Sequence, residues 1–263
     1  MSDTPQSSTP ADAVATSLLA VWAYLCSTVP AAWTRELDGA MAGTTGLPVA
    51  MMNGVFVANE RAPRSVVAAL VEDVASAGLT YCLQLRPNCD PALFTLASSL
   101  RLHPQEDVPV MALTALDAVE RTLDGATAAL RALDPAEAGL HCTVASDGFE
   151  MPEEIIGALV GPAALALPGV KAYIAEVDGE PLSTALAITL DGHVGIFNVA
   201  TPAAHRRRGF GAAVTAIAVR DAFADGARRA WLQTSPLGRS TYERLGFSVV
   251  ESWKCWASVP SAE

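Results

Sequence analysis

Two Asp-Gly pairs constrain this chain more than any other feature. Asp178-Gly179 and Asp191-Gly192 separate three strand-like runs, Lys171–Val177, Leu182–Leu190 and Val194–Ala200. Asp-Gly accepts the positive φ that a two-residue hairpin turn requires, so strand, turn, strand, turn, strand predicts a three-stranded antiparallel meander. Pro202–Gly211 then reads as a basic, glycine-containing loop, Ala212–Ala224 as an alanine-rich helix stopped by Gly226, and Arg229–Thr234 as a strand. Ser235-Pro236 is a typical N-cap and first-residue pair, predicting a helix through Leu245, and Phe247–Ser258 supplies the last strand or strands.

The first half reads as the same α/β mixture. Ala13–Cys26 predicts a buried helix behind a disordered Ser/Thr/Pro tail to about residue 10. Leu47–Asn59 is strand-like, with Asn53-Gly54 as a turn signal. Arg64–Ala77 repeats Val66, Val67, Leu70, Val71 and Val74 at helical spacing and stops at Gly78. Leu79–Leu85 reads as a strand, Pro91–Leu100 as a short helix, Val108–Leu113 as a strand and Asp117–Leu133 as a helix. Asp134-Pro135-Ala136-Glu137 is a break, and there we divide residues 1–135 from 136–263. Beyond it, Leu140–Ala145 reads as a short strand and Pro152–Leu167 as a helix opened by Glu153 and Glu154.

Composition narrows the function classes. The chain is 51% hydrophobic and 17% charged, which excludes wholesale disorder, and 263 residues suit two domains better than one. Acidic residues number 28 against 17 basic ones, a formal charge of -11. That balance lacks the positive field that draws a protein onto nucleic acid, and it is compatible with a cationic substrate. The five cysteines, Cys26, Cys82, Cys89, Cys142 and Cys255, are scattered, odd in number and without a C-x-x-C pair. They predict neither a disulfide framework nor a metal site, and fit a reducing, cytoplasmic compartment. Ala13–Trp33 is apolar, but no Lys or Arg precedes it and Thr16, Ser17, Ser27, Thr28 and Pro30 interrupt it, so no membrane segment is expected.

Chemistry concentrates in His205-Arg206-Arg207-Arg208-Gly209-Phe210-Gly211-Ala212. Four potentially cationic residues in an acidic chain make a local site for an anion. A helix N-terminus beside them adds unpaired N–H groups and the positive dipole end. Gly209 and Gly211, lacking Cβ, allow close backbone approach, so the segment reads as a pyrophosphate cradle of backbone amides rimmed by arginine. A dinucleotide fingerprint would need a third glycine where Val214 stands, and a P-loop lysine is absent. The plain alternative is a solvated charge run beside a glycine turn.

The R-x-x-G-x-G string (Arg206, Gly209, Gly211) follows a meander and opens a helix. About thirty residues later comes Tyr242-Glu243-Arg244-Leu245-Gly246-Phe247. Together, over residues 138–258, these resemble the GCN5-related N-acetyltransferase (GNAT) superfamily. The resemblance implies an α/β (α+β mixed-sheet) class with a GNAT fold in the C-terminal half, and transfer of an acetyl group from acetyl-CoA to an amine. The acceptor would be a small-molecule amine first and a protein amine second. Acetyl-CoA would enter where Phe197–Thr201 splays from Trp231–Thr234, with pantetheine along Val199, Ala200 and Thr201. Its pyrophosphate would lie on the amides of Arg207, Arg208, Gly209, Phe210, Gly211 and Ala212. Tyr242 would be the catalytic acid that protonates the departing thiolate, and an N–H at Val199 or Ala200 would meet the oxyanion. The approach from Val199 to Arg206 is about two residues longer than the family's usual V-x-P-x-x-R, which leaves open which of Asn198 to Thr201 meets pantetheine.

Glu150, Glu153, Glu154 and His193 are candidate bases, but the glutamates read more readily as helix-end caps and His193 as a turn-adjacent residue, and no base is assigned. Cys142 and Cys255 lack an evident histidine partner and read as buried rather than nucleophilic. The first half has the element order of a second, degenerate GNAT-like lobe, with Glu60-Arg61-Ala62-Pro63-Arg64 where the glycine loop would be. It should bind no CoA, and would help form an acceptor pocket or a homodimer interface. The rival function is a non-catalytic acyl-CoA-binding regulator.

Overall fold

Thr9 starts the first helix. Its hydroxyl accepts the Asp12 N–H at 3.1 Å, while the Asp12 carboxylate takes the Thr9 N–H at 3.0 Å, and Pro10 occupies the first helical position. Helix α1 (Pro10–Cys26) therefore begins three residues before Ala13. The structure is a computed structural model describing residues 9–236 and 238–259, so most of the expected tail lies outside the described residues.

Strands β1 (Trp33–Leu37) and β2 (Ala40–Thr44) form a hairpin absent from the expected elements, although it turns on a third Asp-Gly pair, Asp38-Gly39, with φ of 51° and 73°. In β3 (Asn53–Val57) the expected Asn53-Gly54 turn is instead strand. The buried Asn53 side chain donates to the carbonyls of Leu47, Val49 and Thr80 and accepts the Thr45 N–H, so it serves as an anchor. A Cβ on Gly54 would run into the Cys82 carbonyl, so glycine here permits close strand approach rather than a turn.

Then follow α2 (Arg64–Ala75), β4 (Cys82–Leu85), α3 (Pro91–Ser99), β5 (His103–Pro104) and β6 (Val108–Leu113). The helix expected over Asp117–Leu133 stops early. It is α4 (Asp117–Asp124), ended by Gly125, and Ala129–Ala132 forms β7 against β8 (Val170–Val177). The strand expected at Leu140–Ala145 is helical, α5 (Ala138–Phe149), whose buried Ala138, His141, Cys142 and Ala145 follow the i, i+3, i+4, i+7 stripe. The helix expected over Pro152–Leu167 is broken at Gly161 into α6 (Glu153–Leu159) and α7 (Pro162–Leu165), because Pro162 cannot continue α6. The meander matches its expectation: β8, β9 (Glu180–Leu190) and β10 (His193–Ala200) pair antiparallel in series. The rest is α8 (Phe210–Ala224), β11 (Arg229–Gln233), α9 (Arg239–Arg244) and β12 (Ser248–Ala257). Ser235-Pro236 does not open α9. Ser235 Oγ instead accepts the Gly238 N–H at 3.2 Å in a turn before it.

All these strands form one sheet, in the order β1-β2-β3-β4-β12-β6-β11-β10-β9-β8-β7, with β5 paired to β12. The order interleaves the chain. Strand β6, from before residue 135, lies between β11 and β12, and β12 crosses over to pair with β4. Alternate residues of β8 face opposite cores: Ala172 and Ile174 join the cluster under α1 and α5, and Tyr173 and Ala175 the cluster under α8. Helix α1 crosses from the N-terminal lobe onto the C-terminal sheet, where Trp231 Nε1 donates to Ser17 Oγ at 2.9 Å.

Candidate active site

The parallel pair β10–β11 is bonded at His193–Arg229, Val194–Ala230 and Gly195–Trp231, and no further. A Cβ at Gly195 would meet the rings of Phe197 and Trp231, which stand edge to face at 5.4 Å over this last bonded pair. Beyond them, Asn198 has φ of 47°, and the β10–β9 register shifts between Phe197 and Ala200, leaving Asn198 and Val199 in a bulge outside the ladder. The opening is a cleft of about 400 Å³. Phe149, Phe197, Asn198 and Val199 line one side of it, and Gln233, Thr234, Ser235 and Tyr242 the other.

Ala200 is back in the ladder opposite Thr184, and its carbonyl accepts from Ser183 Oγ at 2.9 Å. Thr201 is tied to Ser183 through its hydroxyl at 2.8 Å. Of the residues expected to offer backbone to a ligand, Val199 lines the cleft, and Ala200 and Thr201 anchor its base. Gly211 brings the start of α8 against this base, since a Cβ there would lie 3.4 Å from Thr201 Oγ1 and 3.8 Å from Val199 Cγ1.

The basic loop divides its labour. Gly209, with φ of 87°, is the N-cap of α8, and Arg207 is also left-handed at 62°. The first intrahelical bond runs from Ala213 N–H to the Gly209 carbonyl, so the amides of Phe210, Gly211 and Ala212 precede it. Arg207 and Arg208 are exposed, and the Arg208 guanidinium lies 5.0 Å above the Phe210 ring. Arg206 acts as a clamp. It donates to the carbonyls of Thr201 at 3.0 Å and Gly148 at 2.8 Å, fastening the loop to the end of α5.

Tyr242 packs edge to face on Phe247 at 6.0 Å, and burial pushes its phenol up to about 12, so at neutral pH it is a proton donor. None of the candidate bases lines this cleft. Glu153 and Glu154 border a groove of about 450 Å³ between α5 and α6, and Glu150 caps α5 with φ of 55°. His193 stands at the far end of β10. Burial raises the Cys142 thiol, which suits packing rather than nucleophilic attack. Among the described residues no His/Cys/Asp/Glu group could hold a metal, and no helix is long and apolar enough to cross a membrane. Gln233 and Thr234 belong to the strand expected to wall the cleft, whereas Phe149 and Ser235 carry no sequence motif that marks them as site residues. Only the fold, which brings the end of α5 and the end of β11 to one opening, reveals them.

Residues 134–247 match the model of the Acetyltransferase (GNAT) family. Among solved structures, a GCN5-related N-acetyltransferase from Kribbella flavida is 19% identical with a TM-score of 0.66, over 95% of each chain. One from Sphaerobacter thermophilus is 15% identical with a TM-score of 0.54, over 85% of this chain and 82% of the other. A tandem GNAT protein from the clavulanic acid biosynthesis pathway is 13% identical with a TM-score of 0.56, over 99% and 91%. No curated protein matches the sequence significantly.

Proposed function

From a chain whose residues 134–247 are a GNAT-family domain, set in a fold shared with tandem GNAT proteins, we propose an acetyl-CoA-dependent N-acetyltransferase acting on a primary amine through its C-terminal lobe. One observation carries this reading: the pairing of β10 with β11 ends at Gly195–Trp231, the bulge at Asn198-Val199 and Tyr242 line the opening, and the start of α8 lies against Val199. Acetyl-CoA supplies the acyl thioester. The amides of Arg207 to Ala212 receive its pyrophosphate, with Arg207 and Arg208 at the rim. The bulge leaves the backbone of Asn198 and Val199 to pair with pantetheine, and an N–H at Val199 or Ala200 meets the thioester carbonyl. Tyr242 gives its proton to the leaving thiolate. With no carboxylate among the residues lining the cleft, the amine gives up its proton to water, and the walls of Phe149 and Phe197 favour an acceptor with an apolar body.

The missing carboxylate is also the observation that favours the second reading, a non-catalytic acyl-CoA-binding regulator. Calorimetric titration of acetyl-CoA, followed by thiol release with a panel of amines, separates the two. For an enzyme, Tyr242→Phe lowers kcat by about 10²-fold while acetyl-CoA affinity stays within about twofold. Binding without amine-dependent release in the unmodified chain establishes the regulator, and no binding at all removes both readings.

A further inference from the structure

The N-terminal lobe holds a cavity larger than the cleft, about 530 Å³, beside α1 and at the ends of β3 and β4. No residue lines both cavities. Arg86 lines it with a side chain only 6% exposed. Its Nε donates to Glu251 at 3.0 and 3.1 Å, and its Nη1 donates to Asp12 at 2.8 Å and to the Ala58 carbonyl at 3.0 Å. Nη2 has only Glu60 Oε1, at 3.5 Å, too far for a strong charge-assisted hydrogen bond. A guanidinium more than nine-tenths buried thus keeps one arm without a short acceptor. At the rim stand Arg61 and Glu36, both exposed and neither ion-paired among the described residues. Leu19, Ala20 and Ala58 give the cavity an apolar side.

This charge arrangement is selective. A simple anion would find Nη2 but also the carboxylates of Asp12, Glu36 and Glu60. A simple cation would find those carboxylates but also Arg61 and Arg86. A molecule carrying both charges a short distance apart satisfies both sets. We propose that the cavity binds a free α-amino acid, its carboxylate on Arg86 Nη2 and Arg61, its ammonium between Glu36 and Glu60, and its side chain against Leu19 and Ala20. This site stands apart from acetyl transfer, and its occupancy does not depend on the C-terminal cleft being catalytic.

The test is calorimetric titration of each of the twenty amino acids into the full chain, with the CoA site saturated. At least one amino acid binds with a Kd below about 1 mM. Its N-acetyl and carboxamide derivatives, each lacking one charge, bind at least about tenfold more weakly. Glu36→Gln and Arg61→Ala, both at exposed positions, each weaken binding about tenfold or more, with unchanged far-UV circular dichroism. Arg86 itself is not substituted, because it joins α1, β4 and β12. Any of three results overturns the proposal: no amino acid binds, a singly charged derivative binds as tightly, or binding survives both rim substitutions.

Discussion

His141 has a fully buried side chain on α5. The Thr184 hydroxyl donates to the Tyr173 carbonyl at 2.8 Å, so toward His141 it can only accept, and Nδ1, 2.7 Å away, must carry the proton. Nε2 is then a bare lone pair with no polar partner, and burial pushes the imidazole down to about 4. In the unfolded chain the same group titrates near 6.5. Its folded pKa is depressed, so the stability it confers is complete above about pH 6.5 and is lost as pH falls toward 4, by about 3 kcal/mol over the window. Urea denaturation between pH 7 and 4.5 measures this. The difference in stability between the unmodified chain and His141→Asn should shrink steadily as pH falls, and a difference independent of pH would show that His141 is solvated in the native state.

At the scale of elements, the two parallel strand pairs make opposite choices. In the C-terminal lobe the pair opens after Gly195–Trp231. In the N-terminal lobe β3 and β4 stay bonded from Gly54–Cys82 to Val57–Leu85, and just beyond them Arg86 Nη1 ties back to the Ala58 carbonyl. A closed pair has no free edge for pantetheine, so the chain should bind one acetyl-CoA. Calorimetry should give a stoichiometry near one, and Gly211→Val, whose γ-carbons must enter the contact with Thr201 and Val199, should abolish all of it. Residual binding in that variant would place a second cofactor site in the N-terminal lobe. The meander and the glycine loop were legible because Asp-Gly turns and Gly209 act through local backbone geometry. The strand at Ala129–Ala132 and the helix at Ala138–Phe149 were not legible, since short apolar runs take their form from the neighbour they pack on. For the same reason Arg206 was legible as a member of the loop, while its work as a clamp on Gly148 depends on where α5 ends.

Across the whole molecule, strands cross the division at residue 135 in both directions: the first half lends β6 and β7 to the second, and the second lends β12 to the first. Val110 of β6 stands opposite Gln233 on one side and Glu251 on the other, and β12 continues past it to pair with β4. Nothing in the local sequence of Val108–Leu113 or Ser248–Ala257 announces this exchange, which is a choice among partners made only when the sheet assembles. Its consequence is cooperative: opening the N-terminal lobe by separating β4 from β12 exposes Cys255 and Trp253, both buried in the core. Ligand binding in the C-terminal cleft should therefore protect the lobe that does not touch the ligand. At acetyl-CoA about a hundredfold above its Kd, linkage adds about 2.7 kcal/mol to global unfolding. Native-state hydrogen exchange reads this residue by residue. Amides of Val55 and Phe56 in β3 should gain the same protection as those of Leu186 and Ile188 in β9. A gain confined to β9 would mean that β3 opens without the C-terminal lobe, and that the exchanged strands join two independent folding units.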